Sequence, residues 1–300
     1  MKLDMFCHIR TYENFRKDFQ TMTHANHNHQ KKIAVINDFS GFGRCSLAVE
    51  LPVISQLKVQ CCPVPTSIFS NHTGFPHYFF DDYTDKMEAY ISHWKQLDLH
   101  FSGILTGFLG SGRQMDIVSR FIRDFRDEHT LIIIDPVMGD NGKPYSTYTP
   151  DMCEAMKGLI SFADVLIPNV TEACILTDTP YKAEGWKSRE LFEMAEKLSR
   201  SGAQKVVVSG VVMGQYLGNV VYEHGKEPCI LRTRRVGHTR SGTGDIFSAI
   251  IAADCVNGAD LKSAVSKAAS FIKKCIAVTE KLDIPMTDGV CFEEVLHELH

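Results

Sequence analysis

The segment Gly242-Thr243-Gly244-Asp245 places two glycines and an acid directly before an apolar stretch with helical character. The first turn of a helix leaves backbone N–H groups unpaired and carries partial positive charge, so it attracts anions. Glycine lets that backbone approach a phosphate closely, because no Cβ is in the way. A carboxylate beside such an anion site can take the proton of a substrate hydroxyl. The segment therefore predicts phosphoryl transfer to an alcohol.

A simpler interpretation of the same four residues is a turn whose aspartate interacts favourably with the helix dipole. The segment lacks the Gly-Lys-Ser/Thr ending of a Walker loop, and it does not have the spacing of a dinucleotide fingerprint. The choice between the two interpretations depends on the rest of the chain.

Composition limits the classes of protein to consider. The chain has 300 residues with 44% apolar side chains, which is enough for one full hydrophobic core. A net charge of −4 argues against nucleic acid as a partner. The ten cysteines are scattered without a CxxC pair, as expected of reduced thiols in a cytoplasmic protein.

The first 30 residues differ from the rest of the chain. They are polar and charged, and they contain three histidines between positions 24 and 29. They include no apolar run of the kind found in signal peptides or membrane spans. We expect residues 1–30 to form a mobile extension, with or without a bound metal on the histidines, and residues 31–300 to form a single domain.

From residue 31 onward, short apolar strands alternate with helical patterns. The predicted strands are Lys32–Asn37, Val59–Thr66, Gly103–Thr106, Leu131–Asp135, Val165–Ile167 and Lys205–Ser209. The predicted helices are Ser46–Leu57, Gln114–Arg126, Asp151–Leu159 and Ser188–Ser201, and, near the C-terminus, Thr243–Val256 and Leu261–Leu282. The stretches Gln215–Tyr222 and Pro228–Arg234 resemble a pair of strands joined by a turn. This order predicts an α/β fold with a mainly parallel central sheet and helices on both faces.

Polar clusters follow five of the predicted strands, where open α/β sheets bind their ligands. They are Asn37–Gly43, Ser67–Pro76, Thr106–Phe108, Asp135–Asp140 and Pro168–Glu172. Because these loops share one edge of the sheet, we expect their side chains to line a common site.

These residues resemble the ribokinase-like superfamily of small-molecule kinases, and within it the vitamin B6 kinases. The most specific likeness is Ser67-Ile68-Phe69-Ser70-Asn71-His72-Thr73-Gly74-Phe75, which is similar to the Ser-Asn-His-Thr-Gly-Tyr segment of pyridoxal kinases. The segments Asp135–Asp140, Asn169-x-x-Glu172 and 242–245 add superfamily signatures in the expected order. The resemblance covers roughly residues 31–282 and implies a ribokinase-like fold.

The resemblance implies a role for each matching residue. Asp245 is the general base, and the N–H groups of Gly242, Thr243 and Gly244 hold the transferring phosphoryl. We expect the helix start to keep Asp245 deprotonated near neutral pH.

Asn169 and Glu172 are implied to hold the ATP phosphates and Mg²⁺, with Asp135 as a second metal-side acid, a less certain Asp140, and Ser209 near the phosphates. The competing interpretation makes Asn169 and Glu172 a helix cap, and the two roles are compatible. Asp135 and Ser209 also fit ordinary strand ends.

For the substrate ring, the resemblance implies Asn37, Phe69, Thr73 and Phe108, with Tyr148 as a loop aromatic covering the site. Phe69 and Phe108 are alternatively core residues. His72 is either a proton shuttle or a histidine hydrogen-bonded within its own loop.

The implied activity is ATP-dependent phosphorylation of the 5′-hydroxymethyl group of pyridoxal, pyridoxamine or pyridoxine, by a chain that acts as a homodimer. The K⁺ requirement is open, because Ile167 stands where some members have Thr. A hydroxymethylpyrimidine kinase remains an alternative, since the Asn37–Gly43 turn resembles that group, which usually has Cys in place of Asp245. A non-catalytic B6-binding protein on the same fold is a second alternative.

Overall fold

A nine-stranded sheet forms the centre of the protein, in a computed structural model that describes residues 26–300. The strands are β1 (Lys32–Phe42), β2 (Gln60–Asn71), β3 (Phe80–Asp82), β4 (Gly103–Thr106), β5 (Leu131–Ile134), β6 (Gly139–Asp140), β7 (Lys143–Pro144), β8 (Val165–Leu166), β9 (Lys205–Met213), β10 (Tyr216–Glu223) and β11 (Cys229–Arg234). The sheet order is β11-β10-β9-β8-β5-β4-β1-β2-β3, and β6 pairs with β7 in a separate hairpin. The six strands from β9 to β2 run parallel, while β3, β10 and β11 add antiparallel edges.

Helices cover both faces of this sheet. They are α1 (Leu47–Gln56), α2 (Thr84–Gln96), α3 (Gly112–Phe125), α4 (Pro150–Leu159), α5 (Val170–Thr177), α6 (Ser188–Ser199), α7 (Thr243–Asn257) and α8 (Leu261–Lys281). Ala34 and Ile36 of β1 pack with the helices α2 to α6, whereas Ile33 and Val35 pack with α1, α7 and α8. Burial on both sides explains why β1 begins as an unbroken apolar run. The expected α/β fold with a mainly parallel sheet is confirmed.

The predicted turn and loop after the first two strands are partly wrong, because both strands continue past their predicted ends and still pair with each other. β1 extends to Phe42 and β2 to Asn71, pairing Ser40 with Phe69 after an irregularity between Asn37 and Phe39. A bulge of this kind bends the strand and redirects the side chains that follow it. Asn37 and Asp38 therefore lie at the point where the ladder changes direction.

Asn28, within the predicted extension, is hydrogen-bonded to the domain. Its side chain donates to the carbonyl oxygen of Asp98 at 2.9 Å and accepts from the N–H of His100 at 2.9 Å. These bonds tie residue 28 to the segment between α2 and β4. The boundary at residue 31 stays a prediction, and residues 1–25 of the extension lie outside the part that the structure describes.

Candidate active site

The start of α7 is an open backbone surface at the carboxyl edge of the sheet. Gly242 has φ +85°, and a Cβ there would press into the carbonyl group of Arg44, 3.1 Å from its carbon and closer to its oxygen. Gly244 is exposed, and a Cβ there would meet no heavy atom within 4 Å. The Thr243 hydroxyl donates to the carbonyl oxygen of Arg240 at 3.0 Å. The start of α7 is therefore closed at Gly242 and open at Gly244, where an anion could approach the first N–H groups of the helix.

Asp245 lies in the first turn of α7, and its carboxyl group is influenced by two polar groups of the β1–α1 region. Burial raises the pKa of Asp245, whereas the backbone N–H of Ser46 and the side-chain amide of Asn37 favour its ionised form and oppose the rise. The backbone N–H of Asp245 itself, at the start of α7, also lowers this pKa, although desolvation has the largest effect. A raised pKa moves a carboxylate toward the range in which it is an effective general base.

Ser46 adopts a backbone conformation that is unfavourable for a residue with a side chain. Its φ is 54° and its ψ is −141° at the N-cap of α1. Its hydroxyl donates to Asp38 at 2.6 Å, while its N–H faces Asp245. Strained residues of this kind cost about 1–3 kcal/mol and cluster at functional sites. Here the unusual backbone brings one residue into contact with two acids.

Three further carboxyl groups lie in this region, one on β1, one directly after β5 and one in the first turn of α5. Burial raises the pKa of Asp38 to about 6, with the charge of Asp245 adding to the shift and hydrogen bonds from Ser46 and Ser40 opposing it. Burial raises the pKa of Asp135 to about 7, although Ser248 donates a hydrogen bond to it. Burial and the charge of Asp135 hold the pKa of Glu172 well above its usual range. Within residues 26–300, none of these carboxylates forms an ion pair with a lysine, arginine or histidine.

These acids suit a divalent cation that keeps much of its hydration shell. No group of three or more His, Cys, Asp or Glu side chains in residues 26–300 could enclose a metal ion by itself. Asp135 and Glu172 nevertheless interact through their charges, and a cation near both would remove the cost of ionising them. Mg²⁺ usually binds to one or two carboxylates, with waters and phosphate oxygens completing its shell.

The helix-cap interpretation holds for Asn169 and Glu172. The side-chain oxygen of Asn169 accepts from the N–H groups of Thr171 at 2.8 Å and Glu172 at 3.0 Å. The Glu172 carboxylate accepts from the backbone N–H of Asn169 at 2.7 Å. The amide of Asn169 also donates to the carbonyl oxygen of Gly139 at 2.8 Å. Asn169 therefore fixes the loops, whereas Glu172 faces Asp135. Ser209 forms an isolated bridge with Asn169, which brings these two predicted residues together.

Asn37 is hydrogen-bonded within the protein through both ends of its side-chain amide. The side-chain oxygen accepts from the N–H groups of Asp38 at 2.9 Å and Phe108 at 2.8 Å. The NH₂ group donates to Glu50 at 3.0 Å. The role of Asn37 toward a substrate ring stays a prediction.

The aromatic residues expected around a ring separate into different environments. Phe69 is buried to 7% exposure and packs against Phe80 and Tyr78, with ring centroids 4.9 and 5.9 Å away. Phe108 is half-buried beside Asn37, and Thr73 is exposed on the loop after β2. Phe108 therefore lies beside Asn37, next to the buried carboxyl groups of this site, whereas Thr73 lies on an exposed loop.

Burial raises the pKa of Tyr148, and the nearby Cys153 and Glu172 add to the shift, while its expected role as an aromatic cover of the site stays a prediction. Tyr148 is 6% exposed within the core cluster, and its buried hydroxyl has no hydrogen-bond partner within residues 26–300. Tyr145, three residues earlier, is 42% exposed, and its pKa is raised by burial and by the charges of Glu172, Asp140, Asp135 and Asp245. Tyr145 is thus the aromatic residue that this loop presents to the acids.

His72 is hydrogen-bonded within its loop and to the C-terminal region. Its Nε2 lies 2.7 Å from the carbonyl oxygen of Thr287, and its Nδ1 accepts from the N–H of Gly74 at 3.0 Å. The carbonyl requires a proton on Nε2, so both nitrogens are occupied. The proton-shuttle interpretation has no free nitrogen to support it.

Sequence reasoning missed Asp38, Ser46, Glu50 and Tyr145 as site residues. Glu50 had a visible signal, since it interrupts an otherwise apolar helix at Leu47–Ile54. A charged residue on the buried face of a helix is rarely accidental.

The chain matches the phosphomethylpyrimidine kinase family over residues 47–290. It belongs to that family. A pyridoxine/pyridoxal/pyridoxamine kinase from Bordetella avium is 30% identical over 73% of this chain and 76% of its own length. A candidate phosphomethylpyrimidine kinase from Bacteroides thetaiotaomicron, solved with pyridoxal, is 39% identical with a TM-score of 0.86, covering 90% of this chain and 96% of that one. The pyridoxal kinase of Lactobacillus plantarum is 27% identical with a TM-score of 0.83 over 90% and 96% of the two chains.

The family is one of kinases, and the ribokinase-like single domain expected from the sequence agrees with these structures. In residues 26–300, no helix is both long and apolar enough to span a bilayer.

Proposed function

We propose that this protein is an ATP-dependent kinase that phosphorylates the 5′-hydroxymethyl group of a vitamin B6 vitamer. The observation that carries the proposal is the position of Asp245 in the first turn of α7, next to the open space at Gly244. The likeness to a pyridoxal-bound structure, at 39% identity, supports the choice of substrate.

In the proposed reaction, Asp245 accepts the hydroxyl proton as the substrate oxygen bonds to the γ-phosphorus of ATP. The bond from that phosphorus to the bridging oxygen breaks, and ADP leaves. The N–H groups of residues 242–244 stabilise the charge on the transferring phosphoryl. Mg²⁺, when bound, neutralises phosphate charge, and Glu172 and Asp135 are the residues that would hold it through water. The side chains of Tyr145 and Phe108 would border the acceptor.

The test is turnover of pyridoxal, pyridoxamine and pyridoxine by the wild-type chain and by the Asp245→Asn variant, with and without K⁺. We expect the Asp245→Asn substitution to lower kcat by about 10²–10⁴-fold, the usual contribution of a general base. The ADP affinity, measured by calorimetry, should stay within about two-fold, because the amides are unchanged. Near-normal turnover by the variant would refute the assignment of the base.

Hydroxymethylpyrimidine is the second candidate acceptor, because the matching family is described as phosphomethylpyrimidine kinase. Both acceptors carry a hydroxymethyl group on a nitrogen heterocycle, so the same base serves either. The ratio of kcat/KM for pyridoxamine and hydroxymethylpyrimidine separates them. Binding of pyridoxamine without an ATP-dependent product would instead favour the non-catalytic alternative. The expected homodimer is tested by light scattering of the same preparation.

A further inference from the structure

Ser248 carries a buried hydroxyl that joins helix α7 to the loop after β5. It lies one turn after Asp245 and is 1% exposed. Residues three positions apart lie on the same face of a helix, so Ser248 and Asp245 are neighbours on α7. The Ser248 hydroxyl donates to Oδ2 of Asp135. Buried hydroxyls on helices often donate to a carbonyl oxygen of the preceding turn instead, as those of Thr177 and Thr279 do in this protein. The bond from Ser248 thus places Asp135 against the helix face that carries Asp245.

The backbone of Asp135 is fixed by its neighbours, whereas its carboxyl group has a single hydrogen-bond partner among residues 26–300. The Asp135 N–H donates to the carbonyl oxygen of Thr106 at 3.0 Å, and its carbonyl oxygen accepts from the N–H of Val137 at 3.0 Å. In the described part of the chain, the carboxyl group accepts a hydrogen bond only from Ser248, and only through Oδ2. Oδ1 has no such partner in that range. The direction of the carboxyl group therefore depends on Ser248.

We propose that Ser248 is a positioning residue that turns the carboxylate of Asp135 toward the divalent cation. The serine hydroxyl has one proton, and donating it to Oδ2 holds that oxygen against α7. Oδ1 is then the oxygen that can accept a hydrogen bond from a water of the Mg²⁺ shell. A hydrogen bond to a carboxylate is charge-assisted and among the stronger kinds, so one hydroxyl is enough to fix the direction of the group. The inference rests on the proposed function, which places Mg²⁺ beside Asp135 and Glu172.

The experiment measures the binding of Mn²⁺, a paramagnetic stand-in for Mg²⁺, to the protein saturated with ADP, by electron paramagnetic resonance. Removing a partner that orients a metal-binding side chain typically weakens metal affinity by about 10–100-fold. We therefore expect Ser248→Ala to weaken the Mn²⁺ affinity by about ten-fold or more, and to raise the Mg²⁺ concentration for half-maximal turnover by a similar factor. At saturating Mg²⁺, kcat should fall by less than about three-fold, because excess cation compensates for weaker binding. An unchanged Mn²⁺ affinity would overturn the proposal.

Thr130→Ala is the matched control. Thr130 is 5% exposed, and its hydroxyl donates to the carboxylate of Asp127 at 3.0 Å. It directly precedes β5, whereas Asp135 directly follows it, so the two pairs lie at opposite ends of one strand. Thr130→Ala removes a buried hydroxyl that holds an acid away from the site. It should lower the melting temperature and leave the Mn²⁺ affinity unchanged. An equal loss of Mn²⁺ affinity in both variants would reveal a general effect on β5 and contradict the positioning role.

A double-mutant cycle tests whether Ser248 acts through Asp135. In the Asp135→Ala background the hydroxyl has no carboxylate to hold, so adding Ser248→Ala should change the Mn²⁺ affinity by less than about two-fold. A further loss of about ten-fold in that background would refute the link between the two residues.

The binding measurement needs neither an acceptor nor turnover, which separates this inference from the proposed function. If the wild-type chain binds Mn²⁺ with ADP but phosphorylates none of the acceptors, the proposed acceptor is wrong, and the role of Ser248 is decided by the binding data. A wild-type chain that binds no Mn²⁺ in the presence of ADP would refute both.

Discussion

Replacing Gly242 by alanine tests how closely the start of α7 packs against the loop before α1. A residue with a Cβ at φ +85° pays about 1–2 kcal/mol for the left-handed conformation. The added methyl would also press into the carbonyl group of Arg44, 3.1 Å from its carbon. Forced backbone shifts of this kind cost about 1–3 kcal/mol. The expected loss in the free energy of unfolding is therefore about 2–5 kcal/mol.

Gly258, which ends the same helix, provides the matched control. It has φ +92°, and a Cβ there would meet no heavy atom within 4 Å. Gly258→Ala should thus cost only the conformational part, about 1–2 kcal/mol. The entropy of unfolding of a chain this long is about 0.6 kcal/mol/K. Thermal melts followed by circular dichroism should therefore fall by about 3–8 °C for Gly242→Ala and by about 2–3 °C for Gly258→Ala.

Gly244 completes the series, because it separates stability from function. Its surroundings are open, and alanine is favoured over glycine in a helix by up to about 1 kcal/mol. Gly244→Ala should melt at or slightly above the wild-type temperature. Its methyl would nevertheless occupy the space in front of the α7 amides and raise the KM for ATP by about ten-fold. Equal melting of the Gly242 and Gly258 variants would refute the close approach, and an unchanged KM in Gly244→Ala would refute the phosphate site.

Three further predictions concern individual side chains of the site region. The folded-state pKa of Asp38, about 6 against 3.8, means that the folded protein binds more protons than the unfolded chain between these pH values. The contribution of this group to stability therefore falls as the pH rises from about 4 to 6. Asp38→Asn should stabilise the protein by up to about 3 kcal/mol above pH 7 and should have no such effect below pH 4. Denaturant titrations at the two pH values measure this difference. Tyr148→Phe should raise the free energy of unfolding by about 1 kcal/mol and leave kcat unchanged, because it removes a buried hydroxyl that has no partner within residues 26–300. Tyr145→Ala should raise the KM for the acceptor. A loss of stability in Tyr148→Phe would contradict the unsatisfied hydroxyl.

The strands and helices were largely predictable because each was marked by its own local pattern. Gly103–Thr106 was predicted with the observed bounds, since four buried apolar or small residues lie between polar neighbours. The extension of β1 to Phe42 was not predictable in the same way. Its glycines and polar residues are typical of a turn, and only pairing with β2 keeps them extended. Helix α2 was missed because its apolar positions are few and its surface is mostly polar.

Within the site, the sequence indicated which loops meet but not how their polar atoms pair. The motif around Asp245 and the capping pair of Asn169 and Glu172 are local, so their positions could be predicted. The side-chain partners of Asn37 include Glu50 on α1 and Phe108 after β4, and no spacing along the chain reveals such a set. For the same reason, Tyr148 was chosen over Tyr145, since only the packing decides which of two nearby tyrosines faces the core.

The charges of the site constrain how a nucleotide can enter it. Asp38, Asp135, Glu172 and Asp245 all carry raised pKa values, so each is costly to ionise in the protein alone. When these acids are ionised, a triphosphate that approaches them meets about 3 kcal/mol of repulsion for each charge pair at 5 Å, taking an effective dielectric constant of 20. The start of α7 offers only about half a positive charge in return. Because the helix cannot offset several such pairs, we infer that the nucleotide enters together with a divalent cation, and that Glu172 and Asp135 bind the cation while the amides of α7 bind the phosphates.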